Sequence, residues 1–320
     1  MNLIPNKILV TGGAGNVGSA LIAKLINDPS NFVVIMDNLS TGYLSKLPSS
    51  NLTNWKFIKG DVNNLNDVSS VMLSFHFDYV FHFAAVVGVI RTQENPIDVL
   101  NDIEGIKNIL NLSKNTSVKH VYFSSSSEVY GEPVELPQNE HKTPLNSRVP
   151  YAVVKNVGEC FFKSYWQTFH LPYTIFRFFN TYGPNQSVDF VVARFLSSAL
   201  KNQDIPIYGD GSQTRTFTYV EDTTDVCVKI FKDKLLINDV INIGNSELMT
   251  IKELAELTIK VTNSISKIIY LPPLKEGDMT RRQPDNTKML EILDKKLITV
   301  EEGIKLMMKD ERFLKSVGLK

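Results

Sequence analysis

The sequence has 320 residues, with 34 Lys and Arg against 34 Asp and Glu, so its formal net charge is zero. No overall field draws it to nucleic acid or to an anionic membrane surface. Hydrophobic residues make up 43% and charged residues 21%, ordinary values for a globular enzyme with one large α/β domain and a smaller one.

Met1 to Pro5 runs at once into a strand pattern, so no secretory leader is expected. No apolar run reaches the roughly 20 residues that span a bilayer, and the cytosol is the expected setting. Cys160 and Cys227 lie far apart without metal-ligand spacing, which argues against a zinc site or a disulfide framework.

Lys7–Val10 is a short apolar run that reads as a buried parallel strand. It enters Thr11-Gly-Gly-Ala-Gly-Asn-Val-Gly18, after which Ala20–Ile26 reads as a helix. Gly13, Gly15 and Gly18 fit GxGxxG; Gly12, Gly15 and Gly18 fit GxxGxxG. Glycines at these spacings let the backbone turn tightly and approach a pyrophosphate on the N–H groups of a helix start. A second strand, Phe32–Met36, ends in Asp37, about 20 residues past the last glycine, the spacing of a ribose-binding acid. A carboxylate there accepts from ribose hydroxyls and repels a 2′-phosphate, so NAD is expected over NADP. Strand, glycines, helix, strand and acid in this order predict a doubly wound parallel α/β sheet.

The strand-like stretch Trp55–Val62 contains Asp61, and a helix is expected near Val68–Phe75. Tyr79–Ala85 is the next strand, its small end leaving room for a flat cofactor. His82, inside that apolar strand, reads as a core histidine. Pro96–Asn115 reads as a helix, with Leu100, Ile103, Ile106, Ile109 and Leu110 at helical spacing. His120–Ser125 is the fifth strand and delivers serines to its C-terminal end, where open parallel sheets bind ligands.

Pro133–Pro150 reads as a loop and Tyr151–Phe169 as a helix. Tyr151 and Lys155 are spaced i, i+4 and share a helix face. An ammonium beside a phenol favours the phenolate, and a hydroxyl from the Ser124–Ser127 run can hydrogen-bond the same substrate oxygen. Such a set removes a proton from a secondary alcohol while hydride leaves for a nicotinamide. Val154, Val157, Phe161, Tyr165 and Phe169 form an apolar stripe, flanked by Val153, Cys160 and Phe162. That stripe is broad enough for core on one side and a dimer contact on the other. Cys160 is expected to be a small core residue.

Tyr173–Phe178 is a strand, Phe190–Leu200 a helix and Ile205–Tyr208 a short strand followed by a turn at Gly209–Ser212. Arg215–Val220 reads as a strand, Asp222–Phe231 as a helix and Val240–Ile243 as a strand. Capping boxes at Thr250–Glu253 and Thr299–Glu302 open two further helices, and Ser266–Leu271 is a strand between them.

Jointly, Thr11–Gly18, Asp37–Gly42, Gly60–Val62, Phe83–Ala85, Ser124–Gly131, Pro150–Lys155, Asn180–Pro184, Tyr208–Phe217, Gly277-Asp278 and Arg281-Arg282 resemble one family over nearly the full length. The chain is similar to an extended short-chain dehydrogenase/reductase of the NAD-dependent nucleotide-sugar epimerase/dehydratase/decarboxylase family. The resemblance implies a Rossmann-type sheet domain over residues 1–180 and a smaller C-terminal α/β substrate-binding domain over residues 181–320. The segment around 217–245 is expected to return to the first domain. Tyr151 would be the base for the sugar 4-hydroxyl, with Lys155 tuning it and Ser126 bonding the same oxygen; Glu128 is a further catalytic candidate. NAD would lie on Gly12, Gly15, Asn16, Val17, Gly18, Asp37, Asn38, Asp61, Val62, Phe83, Ala84, Ala85, Ser124 and Phe178, besides Tyr151 and Lys155. Ser126, Ser127, Asn180, Val192, Tyr208, Arg215, Asp278 and Arg282 would meet the nucleotide sugar. A guanidinium fork such as Arg215 suits diphosphate oxygens. No metal, nucleic acid or membrane is implied, and a homodimer is expected through the helices at Pro96–Asn115 and Tyr151–Phe169.

The chain departs from the family pattern at several places. Asn16 and Val17 stand where an aromatic residue and Ile are usual, Val87 where galactose-type epimerases often show Lys, and Lys275 where Arg is common. Asp102 and Ile106 replace an Asn and a Thr. Members of the family first oxidise C4 of the sugar and differ in the fate of the keto intermediate. A 4,6-dehydratase carries an Asp-Glu pair where this chain has Ser127-Glu128, so dehydration is disfavoured. Ser126-Ser127-Glu128 with Arg282-Gln283-Pro284 resembles UDP-glucuronate decarboxylases, but the same serine run and Gly277-Asp278 also fit many 4-epimerases. Epimerisation of a UDP-sugar is the first expectation and decarboxylation the second. A non-catalytic NAD-binding protein would have lost Tyr151, Lys155 or Ser126, and all three are present.

Overall fold

The computed structural model describes residues 5–48, 51–273 and 279–320. Its first half runs β1 (Asn6–Thr11), α1 (Asn16–Leu25), β2 (Asn31–Asp37), β3 (Trp55–Lys59), α2 (Leu65–Phe75), β4 (Tyr79–His82), α3 (Val89–Glu94), α4 (Pro96–Asn115), β5 (His120–Ser126), α5 (Pro150–Phe169) and β6 (Tyr173–Phe178). Next come β7 (Thr181–Tyr182), α6 (Val191–Leu200), β8 (Ile205–Tyr208), β9 (Thr214–Thr216), β10 (Thr218–Tyr219), α7 (Val220–Asp233) and β11 (Asp239–Ile243). The chain closes with β12 (Leu248–Thr250), α8 (Ile251–Thr262), β13 (Ile268–Leu271), α9 (Thr287–Leu293), α10 (Val300–Lys309) and α11 (Glu311–Ser316).

Among the described residues, seven strands form one sheet in the order β11-β6-β5-β4-β1-β2-β3. Every pairing in it is parallel. The strand order reverses between β1 and β4, and in such sheets the crevice outside the strand C-termini is where ligands bind. Val33 to Met36 are buried without interruption because helices cover both faces. Val68 of α2, Ile106 and Ile109 of α4, and Val154 and Phe162 of α5 fill one face. Leu21 and Ile22 of α1, Val226 and Ile230 of α7, and Met289 of α9 fill the other. A third cluster joins α6, α8, α10 and α11 around Phe195, Leu254, Met307 and Phe313.

Helix starts follow local chemistry. Pro96 and Pro150 sit in the first turns of α4 and α5, where a missing N–H costs nothing. Thr250 with Glu253 and Thr299 with Glu302 make reciprocal capping boxes, each satisfying two orphan donors.

Three local expectations are corrected. The stretch Arg215–Val220 is two short strands, because β9 pairs antiparallel with β12 while β10 pairs parallel with β7. Phe217, between them, is buried. The strand from Tyr79 ends at His82, where the Phe83 N–H turns to Thr11 O at 3.2 Å and the chain leaves the sheet. Cys160 is exposed, because α5 turns Ala152, Val154, Gly158 and Phe162 inward and carries Cys160 on its outer side.

Candidate active site

The cofactor end is built from backbone. Gly12 leaves β1 with φ 70°, and a Cβ there would sit 2.6 Å from Ala84 N. A Cβ on Gly18 would lie 2.3 Å from Gly12 O, so this crossing closes only around hydrogen. Gly15 caps α1, and no acid occupies the first turn. The helix therefore presents unpaired N–H groups and the positive end of its dipole to the crevice.

Asp37 closes β2. Its Oδ2 accepts the Ala14 N–H at 2.9 Å and its Oδ1 the Leu39 N–H at 2.8 Å, which fixes the carboxylate beside the glycine turn. Beyond it, Asn38 donates to Asp61 Oδ2 at 3.0 Å, and the Asn63 N–H donates to Asp61 Oδ1 at 2.8 Å. The turn, the helix start and the acid fit a dinucleotide such as NAD.

At the other end β5 delivers Ser124, Ser125 and Ser126, followed by a single 3₁₀ turn at Ser127–Tyr130. Ser126 Oγ accepts the Glu128 N–H at 3.2 Å. The first turns of α5 bring Tyr151 and Lys155 to the same place. Lys155 Nζ lies 3.5 Å from Ser124 Oγ, 5.1 Å from the Phe123 ring centroid and 5.7 Å from that of Tyr151. Burial pulls the Lys155 ammonium down to about 8, opposed by the Asp102 carboxylate.

Burial, followed by the Glu128 carboxylate, pushes the Tyr151 phenol well above its ordinary range, while the Ser126 hydroxyl pulls it down. Arg282 Nη1 stands 3.3 Å from Glu128 Oε1, and Arg282 Nε is buried without a hydrogen-bond partner.

A cavity of about 1290 Å³ joins the two ends, larger than a typical small-molecule pocket. Its wall holds Gly12, Gly15, Asn16, Val17, Gly18, Asp37, Asn38, Asp61 and Val62. Phe83, Ala84, Ala85, Ser124, Ser126, Ser127, Glu128, Tyr151, Lys155, Phe178, Asn180, Val192 and Arg282 of the expected set line it as well. Tyr208 and Arg215 are not on it. Tyr208 lies under the Arg194 guanidinium, 5.7 Å from its ring centroid, and Arg215 Nη1 donates to Thr214 O at 2.9 Å. Asp278 lies outside the described residues. Sequence reasoning gave no binding or catalytic role to Lys46, Asn63, Asp102 or Gln186, which share the wall; the nearest signal was Asp102, a departure from the family pattern.

Behind the serines runs a buried network. Arg177 donates from Nε to Glu159 Oε1 at 2.8 Å and from Nη2 to Glu159 Oε2 at 2.7 Å. Ser125 Oγ donates to Glu159 Oε1 at 2.6 Å, and Arg177 Nη1 donates to the Tyr130 hydroxyl at 2.8 Å. Glu159 lies one helical turn beyond Lys155, so the network ties β5, the 3₁₀ turn and α5 together. His82 is a core residue as expected: it contacts Thr11 Oγ1 at 2.9 Å and burial pushes it down to about 3. Among the described residues, no group of three His, Cys, Asp or Glu side chains is placed to hold a metal, and no helix is long and apolar enough to cross a membrane.

The sequence model of the NAD dependent epimerase/dehydratase family matches residues 8–244. UDP-glucuronic acid decarboxylase 3 of Arabidopsis thaliana is 33% identical over 325 residues, covering 96% of this chain and 90% of that protein. The crystal structure of Thermotoga maritima UDP-glucose 4-epimerase with UDP-glucose superposes with a TM-score of 0.88 at 31% identity, covering 97% of this chain and 99% of that one. The UDP-glucuronic acid 4-epimerase of Bacillus cereus, in complex with UDP-glucuronic acid and NAD, gives a TM-score of 0.87 at 28% identity, covering 97% and 99%.

Proposed function

The chain belongs to the NAD-dependent epimerase/dehydratase family, and on that premise we propose that it is a UDP-sugar 4-epimerase working through a transient 4-keto sugar. The reading rests on one observation: Ser126, Tyr151 and Lys155 share a cavity with the glycine turn and Asp37. NAD, once bound there, supplies the site that accepts a hydride and gives it back. Tyr151 takes the proton from the sugar 4-hydroxyl as the C4–H bond breaks, and returns it when that carbon is reduced from its other face. Ser126 holds the same oxygen. The Lys155 ammonium offsets the charge that builds on the phenol oxygen, which burial and Glu128 otherwise oppose. Asn180, Val192 and Arg282 line the part assigned to the nucleotide sugar; Tyr208, Arg215 and Asp278 are assigned to its nucleotide end by family resemblance.

A second reading, decarboxylation of a UDP-uronic acid, is favoured by the Arg282–Glu128 contact at 3.3 Å. A guanidinium at this spot can pass from Glu128 to a substrate carboxylate, freeing Glu128 to move a proton.

The outer faces of α4 and α5, with Ile97 and Phe169 exposed, are assigned to a homodimer contact. Unpaired cysteines suit a reducing cytosol.

The purified protein is to be incubated with UDP-glucuronate, UDP-glucose and UDP-N-acetylglucosamine, and the anomeric protons followed by NMR. A C4 epimer from one of them is the expected result. A pentose or 4-keto pentose from UDP-glucuronate establishes the second reading. No product from any of the three contradicts both. Tyr151→Phe is expected to abolish turnover while NAD still binds; unchanged turnover overturns the role given to Tyr151.

A further inference from the structure

Of the serines at Ser124–Ser127, Ser125 has no part in the proposed chemistry. It borders the cavity yet is 2% exposed, and its Oγ donates to Glu159 Oε1 at 2.6 Å. Alternation along β5 explains this. Ser125 falls on the same side of the strand as Phe123, whose ring stacks on Phe162 of α5 at 4.7 Å. Ser124 and Ser126 fall on the other side.

The acceptor is itself fixed. Glu159 is 0% exposed, and Arg177 holds both its oxygens, at 2.8 and 2.7 Å. Arg177 stands opposite Ser125 in the register of β5 with β6. Its Nη1 donates to the Tyr130 hydroxyl at 2.8 Å and to Glu140 O at 3.1 Å. The Tyr130 hydroxyl donates onward to Asn242 Oδ1 at 2.8 Å. One buried ion pair therefore grips Ser125 in β5 and Tyr130 at the end of the 3₁₀ turn. Ser126 and Glu128 lie between these two anchors. Glu159 belongs to α5, one turn beyond Lys155 and two beyond Tyr151.

The rest of the contact between β5 and α5 is less exacting. A Cβ on Gly158 would lie 2.5 Å from Phe123 Cζ, so helix and strand pack closely there. Apolar packing of this kind is non-directional, whereas a short bond to a fixed carboxylate sets a height along the strand. The Lys155 contact to Ser124, at 3.5 Å, is too long to do the same.

We propose that Ser125 is a positioning residue: through Glu159 it fixes the end of β5 against α5, so that Ser126 and Tyr151 meet the same substrate oxygen. The proposal rests on the reading in which those two groups act together on the sugar 4-hydroxyl.

The test is Ser125→Ala, which leaves the Glu159–Arg177 pair intact. With a UDP-sugar that the parent turns over, kcat per NAD-loaded site is expected to fall about tenfold or more, as a misplacement of under about 1 Å does. KM and the Kd for NAD are expected to stay within about twofold, because neither ligand loses a contact. A merely structural role would lower Tm and the loaded fraction but leave kcat per loaded site unchanged. Independently of turnover, amide hydrogen exchange of the Ser126–Tyr130 peptide is expected to quicken, while that of the Lys7–Thr11 peptide does not change. A kcat per loaded site within about threefold of the parent, or a loss carried by KM instead, overturns the proposal. Unchanged exchange at Ser126–Tyr130 overturns it as well. If Ser125→Ala does not fold, Ser125→Cys, which fills the place of the hydroxyl with a weaker donor, carries the same readouts. Failure of the underlying reading is distinguishable, since it shows as turnover surviving in Tyr151→Phe, which the exchange measurement does not touch.

Discussion

Glu159→Gln probes how the core holds the reacting groups. The parent carboxylate is 0% exposed and takes two bonds from Arg177, at 2.8 and 2.7 Å, and one from Ser125 at 2.6 Å. Gln keeps the shape but turns an amide N–H toward the guanidinium and leaves a buried cation unpaired. Removing one member of such a pair costs about 3–5 kcal/mol. At about 2.1 cal/mol/K per residue over 320 residues, the unfolding entropy is about 0.7 kcal/mol/K, so Tm falls by about 4–7 °C for a single cooperative transition. Thermal and urea unfolding of Glu159→Gln, Arg177→Met and the double variant form a cycle. The double variant is expected to be more stable than the sum of the singles implies, because neither charge is then stranded. A loss below about 1 kcal/mol in Glu159→Gln, the size expected of an exposed pair, refutes the reasoning.

Gly18→Ala places a Cβ 2.3 Å from Gly12 O, forcing the turn to move. NAD is expected to bind about tenfold more weakly or worse, a loss of about 1.4 kcal/mol or more, and an unchanged Kd by calorimetry counts against the cradle. Burial pushes His82 down to about 3 and His120 down to about 4. Both folded values lie below the unfolded one, so their stabilisation is complete above about pH 6.5 and is lost as pH falls toward about 4 and then about 3. Each pH unit in that window costs about 1.4 kcal/mol per histidine; urea midpoints that stay flat from neutral pH to pH about 5 refute this. Phe169→Glu, at an exposed side chain near the end of α5, is expected to convert a dimer to a monomer by light scattering. A parent that is already monomeric at micromolar concentration removes the assigned contact.

What could be read from sequence was local. The Thr11–Gly18 turn, Asp37 at a strand end and Tyr151 one helical turn before Lys155 each depend on neighbours within one β-α unit, so spacing placed them on the cavity wall. Helix α4 has the bounds its periodicity and Pro96 suggest, and both capping boxes form. What periodicity missed depends on distant chain. Arg215–Val220 alternates like one strand, yet its two halves pair with β12 and β7, partners no local pattern names. Cys160 lies on an apolar helix, and only the packing of α4 against α5 decides which side faces out. The 3₁₀ turn at Ser127–Tyr130 arises from Ser126 Oγ accepting the Glu128 N–H, a side-chain cap hidden in a run of serines.

Transient oxidation at C4 is the step on which the proposed function depends most directly. The measurement is turnover of a UDP-sugar carrying deuterium at C4, with the product examined by NMR in ordinary water. The hydride leaves and returns within one closed site, so the product is predicted to keep its deuterium at C4 and to form more slowly than from the unlabelled sugar. Deuterium washed out to solvent, or a rate indifferent to the label and to removal of NAD, would contradict it.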